Sequence, residues 1–411
     1  MKTFNPQTLR KDFPQFGDPH FHYLDSAATS LTPQIVLDKM ADYYMHYRAS
    51  VHRALFKEAV EATEQYETAR KKVAQFINAD PDEVIFTSGA TESSNMLMRM
   101  IDESPYVEEH MLKKSAKNEL VTTTMEHHSA LLPFQQFASR RGLTIHSIPL
   151  LGVKLDYKKA EDFISYKTFV ISVTLASNVT GEVNDIPSIA ALAHKCGALM
   201  VVDATAAVGH IPVDVKALGA DALYFSAHKM LGPTGVGVLF VKKELLEKLS
   251  PSVYGGHMVE RIENGKPEWA SIPSRFEAGT KDIGGVIGLG AAIDYLEKIG
   301  VKNIHAHTGD LVLSAIEKLE TIPGVHIFAE RDPQKNIGIV SFSCDFAHPH
   351  DVAEILSRDN IGVRPGHHCA IPLHDALGVA ATLRASFHCY STQEDVDALF
   401  ASILKAKEIF L

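Results

Sequence analysis

The chain has 411 residues, 45% apolar and 22% charged, enough to bury a large core and, at this length, to form two or three domains. Its 50 acidic residues outnumber 40 basic ones, for a net charge of -10, and no stretch gathers Lys and Arg with aromatics, which argues against nucleic acid and anionic membrane as partners. Residues 1–16 lack the apolar run of a secretory signal, and no segment approaches the apolar length that spans a bilayer, so a cytoplasmic location is expected.

Short β-rich runs alternate with amphipathic helical stretches through the middle of the chain, the pattern of a mostly parallel sheet covered on both faces. The predicted strands are Val84 to Thr87, Leu120 to Met125, Phe169 to Leu175, Leu199 to Asp203, Ala222 to Ser226 and Gly237 to Val241. The charged segment Asp102 to Glu119 has no pattern, carries Ser104-Pro105, and reads as a surface excursion. From Ala291 the texture changes to a helix over 291–299, a helix near 310–319, a strand over 337–343, another helix and a terminal helix after Thr392, which reads as a smaller α+β domain.

Polar clusters follow the inner strands: Thr87 to Glu92, Glu126-His127-His128, Ser177-Asn178, Asp203 and Ser226-Ala227-His228-Lys229. Ligands of open α/β sheets gather at the carboxyl ends of strands, where helix N-termini also begin, so these clusters point to one site. A lysine is ordinarily a solvated surface residue, yet Lys229 sits between an apolar strand and the glycine-rich Gly232-Pro233-Thr234-Gly235. The Ser88-Gly89-Ala90-Thr91 turn opens a helix whose free N–H groups favour a phosphate. Asp203 ends the apolar run Met200-Val201-Val202, where a carboxylate is costly without a positive partner. An N-cap is the ordinary role for such an aspartate, but a pyridinium nitrogen satisfies it better and keeps the ring an electron sink.

Taken in order, Thr87-x-Gly-x-Thr91-Glu92, Glu126-His-His, Ser177-Asn-x-x-Gly181, Val202-Asp-Ala204, Phe225-Ser-x-His-Lys229 and Arg275-Phe-Glu-x-Gly-Thr280 resemble the class V aminotransferase-type, fold type I pyridoxal phosphate enzymes. Val363-Arg-Pro-Gly-His-His-Cys369-Ala370 and Leu383-Arg-Ala-Ser386 narrow the likeness to the SufS-like and CsdA-like group II cysteine desulfurases, from Tyr23 almost to the C-terminus. The resemblance implies an α/β fold with a mostly parallel seven-stranded sheet in a large domain (26–290), an N-terminal segment (1–25) packed on the small domain, and a small C-terminal domain (291–411) carrying the cysteine loop. It further implies pyridoxal 5'-phosphate as cofactor, bonded by Lys229, with Asp203 at the ring nitrogen, His127 stacked on the ring and Asn178 near the ring oxygen and the substrate carboxylate. Ala90, Thr91, Ser226 and His228 are implied to hold the phosphate, with Thr280 reaching it from a second subunit of a homodimer. Arg384 and Arg364 are implied to grip the substrate carboxylate, and Cys369 to take the sulfur as a persulfide.

The substrate implied is L-cysteine, with L-selenocysteine as the in-class alternative, and the product sulfur passes to a SufE-like or SufU-like acceptor for iron–sulfur cluster assembly or other sulfur biosynthesis. An aminotransferase, a kynureninase-like lyase and a non-catalytic scaffold are the competing readings. The remaining cysteines, Cys196, Cys344 and Cys389, lie far apart without zinc spacing and read as reduced thiols, Cys344 as a structural one after an apolar strand. No metal is expected. Cys369 differs in lying beside Gly366, two histidines and Arg364, a positive setting that favours a thiolate. His127 and His128 read otherwise as helix-opening residues, and His367 and His368 carry no assigned role. The segment from Gly255 to Arg275 resembles the hairpin insertion of the SufS-like group. One departure stands out, Ala206 where the family has a glutamine that bonds toward the ring oxygen.

Overall fold

A computed structural model describes residues 4–18, 20–111 and 117–411. Short runs rich in Val, Ile, Leu and Phe, buried on both faces, build its central sheet. In chain order the strands are β1 (Val84–Thr87), β2 (Glu119–Thr123), β3 (Thr144–Ile148), β4 (Thr168–Thr174), β5 (Leu199–Asp203), β6 (Ala222–Ser226) and β7 (Gly237–Val241). Their spatial order is β1-β7-β6-β5-β4-β2-β3, and of the seven only β7 runs antiparallel to its neighbours. The carboxyl ends of β1, β2, β4, β5 and β6 therefore lie along one edge of the sheet, which is where the polar clusters emerge.

Successive residues face opposite layers. Met200 and Val202 join the core under the helices Gln34–His46, Lys57–Phe76 and Ile283–Ile299, while Val201 joins the one under Ala90–Asp102 and His128–Arg141. β3 escapes the strand pattern because it is an edge strand with exposed Thr144 and Ser147. β2 stops at Thr123, short of Met125, because the Thr123 hydroxyl takes the Met125 N–H and turns the chain.

The helix expected from 291 begins at Ile283, so one helix runs through the 290/291 boundary read from the sequence. Its glycines allow close packing against the helix Gln34–His46. A Cβ on Gly284 would stand 2.7 Å from the Tyr44 ring, and one on Gly288 would stand 2.7 Å from Met40. The helix expected near 310–319 extends over Val301–Glu320, and the strand expected over 337–343 is Ile339–Cys344. The segment 102–119 is more than an excursion: Pro105–Met111 is helical with Val107 buried, and Lys117 Nζ donates to the carbonyls of Thr168 (2.6 Å) and Cys196 (2.8 Å). Residues 112–116 of that segment lie outside the described residues. An Asn264-Gly265 turn with both φ angles positive (51° and 76°) joins Val259–Glu263 to Lys266–Trp269 as a hairpin, where a hairpin insertion was expected.

The C-terminal layer is a four-stranded antiparallel sheet, in the order Val325–Ile327, Ile339–Cys344, Thr382–Ser386 and Arg364–Gly366. Helices Val301–Glu320, Pro349–Arg358 and Gln393–Phe410 share its core, which Leu24 also joins. The N-terminal segment is fastened there by His22–Tyr23 pairing in parallel with Ile361–Gly362 and by Arg10 bound to Asp395 at 3.0 Å.

Two buried carboxyls, Glu182 and Glu330, meet between the sheet layer and this C-terminal layer, with Lys154 Nζ 2.5 Å from Glu330 and 3.9 Å from Glu182. Burial and the Glu330 carboxylate, to which its protonated carboxyl donates, push Glu182 up to about 8, while Glu330, against burial, is held down to about 2 by Glu182 and Lys154, so the two share one proton, held on Glu182. A carboxyl whose folded pKa is raised binds more protons folded than unfolded above pH about 4.5, so its contribution to stability falls as pH rises toward about 8. Glu182→Gln, permanently a donor, is expected to flatten that decline. Chemical denaturation of both proteins from pH 5 to 9 measures it, and parallel curves would refute the shared proton.

Candidate active site

One cavity of about 180 Å³ opens along the carboxyl edge of the sheet. Its walls bring together Ala90, Thr91, His127, Asn178, Asp203, Ser226, His228, Lys229, Arg364 and Arg384, residues spread over nearly three hundred positions of sequence.

The phosphate-like end is built by close backbone approach. Ala90 opens the helix Ala90–Asp102 and donates its N–H to Ser226 Oγ at 2.8 Å. Gly237, paired with both Thr87 and Ser226, lies so near the turn that a Cβ there would stand 2.4 Å from Gly89 Cα. Only glycine allows that approach. Ser88, Thr91, His228, Thr234 and Gly235 line the adjoining recess at the helix N-terminus, where free N–H groups favour an anion. His228 is pushed down to about 4 by burial and Lys229, so it serves as a neutral hydrogen-bonding ring rather than a charge.

Asp203 ends β5 fully buried, its Oδ1 accepting the Thr205 N–H at 2.9 Å. It caps no helix, and among the described residues it has no salt-bridge partner. Burial raises its pKa, opposed by Thr205 and Lys229. A buried carboxylate in a cavity wall is costly to ionise without a bonded cation, and a cationic group on a ligand would offset that cost. Lys229 ends the short turn after β6, and burial with the nearby Arg384 brings its amine down to about 8 despite Asp203, so an appreciable neutral fraction is available as nucleophile and base near neutrality.

His127 is both N-cap and wall residue: its Nδ1 accepts the Ser129 N–H at 3.1 Å and lies 2.8 Å from Ser129 Oγ. Burial, then Lys229, lowers it to about 3, so the flat neutral ring is presented to the cavity.

Arg384 and Arg364 face each other across paired strands. Like charges directly opposite are unfavourable unless an anion lies between them. Arg384 is buried, held by Asp25 Oδ1 (2.9 Å) and the Asn178 carbonyl (3.0 Å), and its Nε has no partner among the described residues. A carboxylate ligand supplies what that edge lacks. Asn178 meanwhile gives its side-chain N–H to the His368 carbonyl at 2.8 Å.

Cys369 stands apart from the wall. It is half-buried in a turn where His368 and Cys369 both adopt left-handed φ (51° and 57°), a costly conformation for non-glycine residues. The large layer holds that turn: His128 N donates to the Cys369 carbonyl at 2.8 Å, and Ile371 N to His128 Nε2 at 3.3 Å. Cys344 is half-buried with burial pushing its thiol up to about 12, and Cys389 is fully buried. Thr280 is exposed and lines a separate recess with Ser50, Arg53, His257 and Lys281, so within one chain the structure does not bring it to the cavity.

The sequence left Asp25, Ala27, Ala28, Thr174, Thr205 and His368 without roles, yet Asp25 orients Arg384 and the others line the cavity. Tyr23 to Thr29 lay within the family likeness, which was the available signal for three of them. Ala206 lines the cavity where a longer side chain was expected.

The family model described as aminotransferase class-V matches residues 22–399. A probable cysteine desulfurase of Halalkalibacterium halodurans is 42% identical over 413 residues, covering 99% of each chain. One of Streptomyces coelicolor is also 42% identical, over 98% of this chain and 97% of its own. The apo cysteine desulfurase of Thermococcus onnurineus superposes with a TM-score of 0.93 at 38% identity, covering 100% of this chain and 99% of that one. The Escherichia coli cysteine desulfurase CsdA, solved as its S-sulfonic acid, gives 0.90 at 35% identity over 100% of both chains.

Proposed function

The chain belongs to the class-V aminotransferase family, and we infer from its cavity and its full-length relatives that it works as a pyridoxal 5'-phosphate-dependent cysteine desulfurase on L-cysteine. The carrying observation is a single cavity that joins a lysine amine lowered to about 8, a buried aspartate with no ion-pair partner among the described residues and two facing arginines beside a strained cysteine turn.

The residues fit the cofactor: Lys229 would bond it, Asp203 hold its ring nitrogen, His127 cover its ring, and Ala90, Thr91, Ser226 and His228 its phosphate. When bound, pyridoxal phosphate supplies the electron sink that makes the substrate's α-proton removable and its C–S bond breakable. Arg384, oriented by Asp25, takes the substrate carboxylate with Arg364. Lys229 Nζ accepts the α-proton. Cys369 sulfur bonds the substrate sulfur as the C–S bond breaks, leaving a persulfide on Cys369 and, after protonation, alanine.

A homodimer completes the site in this reading, with Thr280 serving the second copy. It is supported by the exposure of Thr280, by exposed Tyr44, which lines a surface recess with it, and by Met45, Leu55 and Phe56, further large apolar side chains open to solvent at the end of the helix Gln34–His46 and in the connection to the helix Lys57–Phe76. The sulfur acceptor is a SufE-like or SufU-like protein, and the setting is the cytoplasm. No helix among the described residues is long and apolar enough to cross a membrane.

Incubating the cofactor-loaded protein with L-cysteine, with and without reductant, tests the assignment. Alanine release is expected in both cases. Without reductant, Cys369 should gain the mass of sulfur. A keto acid formed by transamination, with neither alanine nor persulfide, would overturn it.

A further inference from the structure

His368 is a buried imidazole that the mechanism above leaves without a task. It precedes Cys369, lines the cavity, and is 4% exposed. Its Nε2 lies 2.9 Å from the Thr382 hydroxyl, and His374 Nε2 lies 3.1 Å from the same oxygen. His374 Nδ1 lies 3.0 Å from the Ala370 carbonyl.

These partners assign every hydrogen. A carbonyl only accepts, so His374 Nδ1 carries the hydrogen, and because burial keeps that ring neutral its Nε2 is a lone pair. Thr382 then donates its single hydrogen to His374 and accepts from His368 Nε2–H. Neutral His368 is left with a bare Nδ1, and that atom is buried without a partner among the described residues. Asn178 fixes the His368 carbonyl at 2.8 Å and the left-handed turn fixes its backbone, so the ring is held at both ends.

An acceptor so held in a cavity wall calls for a donor on the ligand. With its carboxylate at Arg384 and Arg364, and its side chain directed toward Cys369, the substrate offers one donor on that side, its S–H. We propose that His368 Nδ1 is the acceptor that positions the substrate sulfhydryl, and that Thr382 and His374 act through it by locking its tautomer. Burial, with Arg384, His374 and Arg364 nearby, holds the ring's pKa down at about 2, so it remains an acceptor through the working pH range.

The inference rests on the L-cysteine reading, and wild-type alanine release tests that reading separately. The experiment compares cofactor-loaded wild type, His368→Leu, Thr382→Val and Thr382→Ser by KM and kcat for L-cysteine. It also measures Kd for L-alanine, which lacks the thiol, from the absorbance of the bound cofactor. His368→Leu is expected to raise KM for L-cysteine about threefold to tenfold while moving the L-alanine Kd by less than about twofold. Thr382→Val moves KM the same way by less, and Thr382→Ser rescues it. Nitrogen-15 spectra of histidine-labelled wild type should place the His368 hydrogen on Nε2, a readout independent of how well any variant folds. Equal weakening of both ligands, an unchanged KM, or a hydrogen on Nδ1 would overturn the proposal.

Discussion

Lys229→Ala is expected to lower alanine release from L-cysteine by at least ~10⁴-fold, since it removes both the nucleophile that bonds the cofactor and the base that takes the α-proton. The geometry separates that loss from loss of fold. Lys229 sits on a short turn whose backbone is set by its neighbours: Met230 N bonds the Ala227 carbonyl at 2.9 Å, Ala227 N the Val236 carbonyl at 3.0 Å, and Ser30 N the His228 carbonyl at 2.8 Å. None of these involves the lysine side chain. The phosphate end, built from Ala90, Ser226 and the Gly89–Gly237 approach, is likewise untouched. The variant should therefore fold and retain cofactor weakly. Borohydride treatment should leave cofactor mass on the wild-type chain and none on Lys229→Ala. Residual turnover within tenfold of wild type would remove Lys229 from its assigned role.

Cys369→Ser is the second large effect, with alanine release from L-cysteine expected to fall by about 10³-fold, because a hydroxyl at neutral pH is a far weaker nucleophile toward sulfur than a thiolate. The cofactor spectrum should not change, since Cys369 lies outside the cavity wall. Its turn should also survive, because His128 and Asn178 hold backbone carbonyls there rather than the thiol. The same variant separates the two candidate substrates. Selenium leaves carbon more readily than sulfur, so a chain whose task is L-selenocysteine keeps its selenocysteine activity after the substitution. A variant that retains full activity on L-cysteine refutes the persulfide assignment.

Local chemistry was readable from the sequence where each residue's neighbours in the chain dictate it. Strand positions followed from apolar β-branched runs, and β5 and β6 ended at Asp203 and Ser226 as expected because each run meets its polar cluster there. The terminal helix begins after Thr392 because that residue forms a capping box with Asp395. Readings failed where a residue's role depends on distant atoms. The helix expected from 291 misses residues 283–290, where Gly284 and Gly288 pack against Tyr44 and Met40, side chains distant in sequence. β3 is absent from the predicted strands because, at the sheet edge, only Ile148 of its residues is buried.

For the site, sequence alone determined the chemical groups at the strand ends: the lysine after β6, the aspartate closing β5, the helix-opening turn after β1 and the cysteine beside two histidines. Their order along the chain also carried the likeness to one enzyme family. Only the tertiary structure decided how those groups are oriented and tuned. Asp25 reaches Arg384 across 359 residues, Gly237 makes room for Gly89, and Thr382 with His374 determines which nitrogen of His368 is bare. The division follows from physics. A strand end or helix cap is set by dihedral preference and nearest-neighbour hydrogen bonds, which are local in sequence. Desolvation, charge pairing and tautomer depend on every atom within a few ångströms, and the fold alone supplies those atoms.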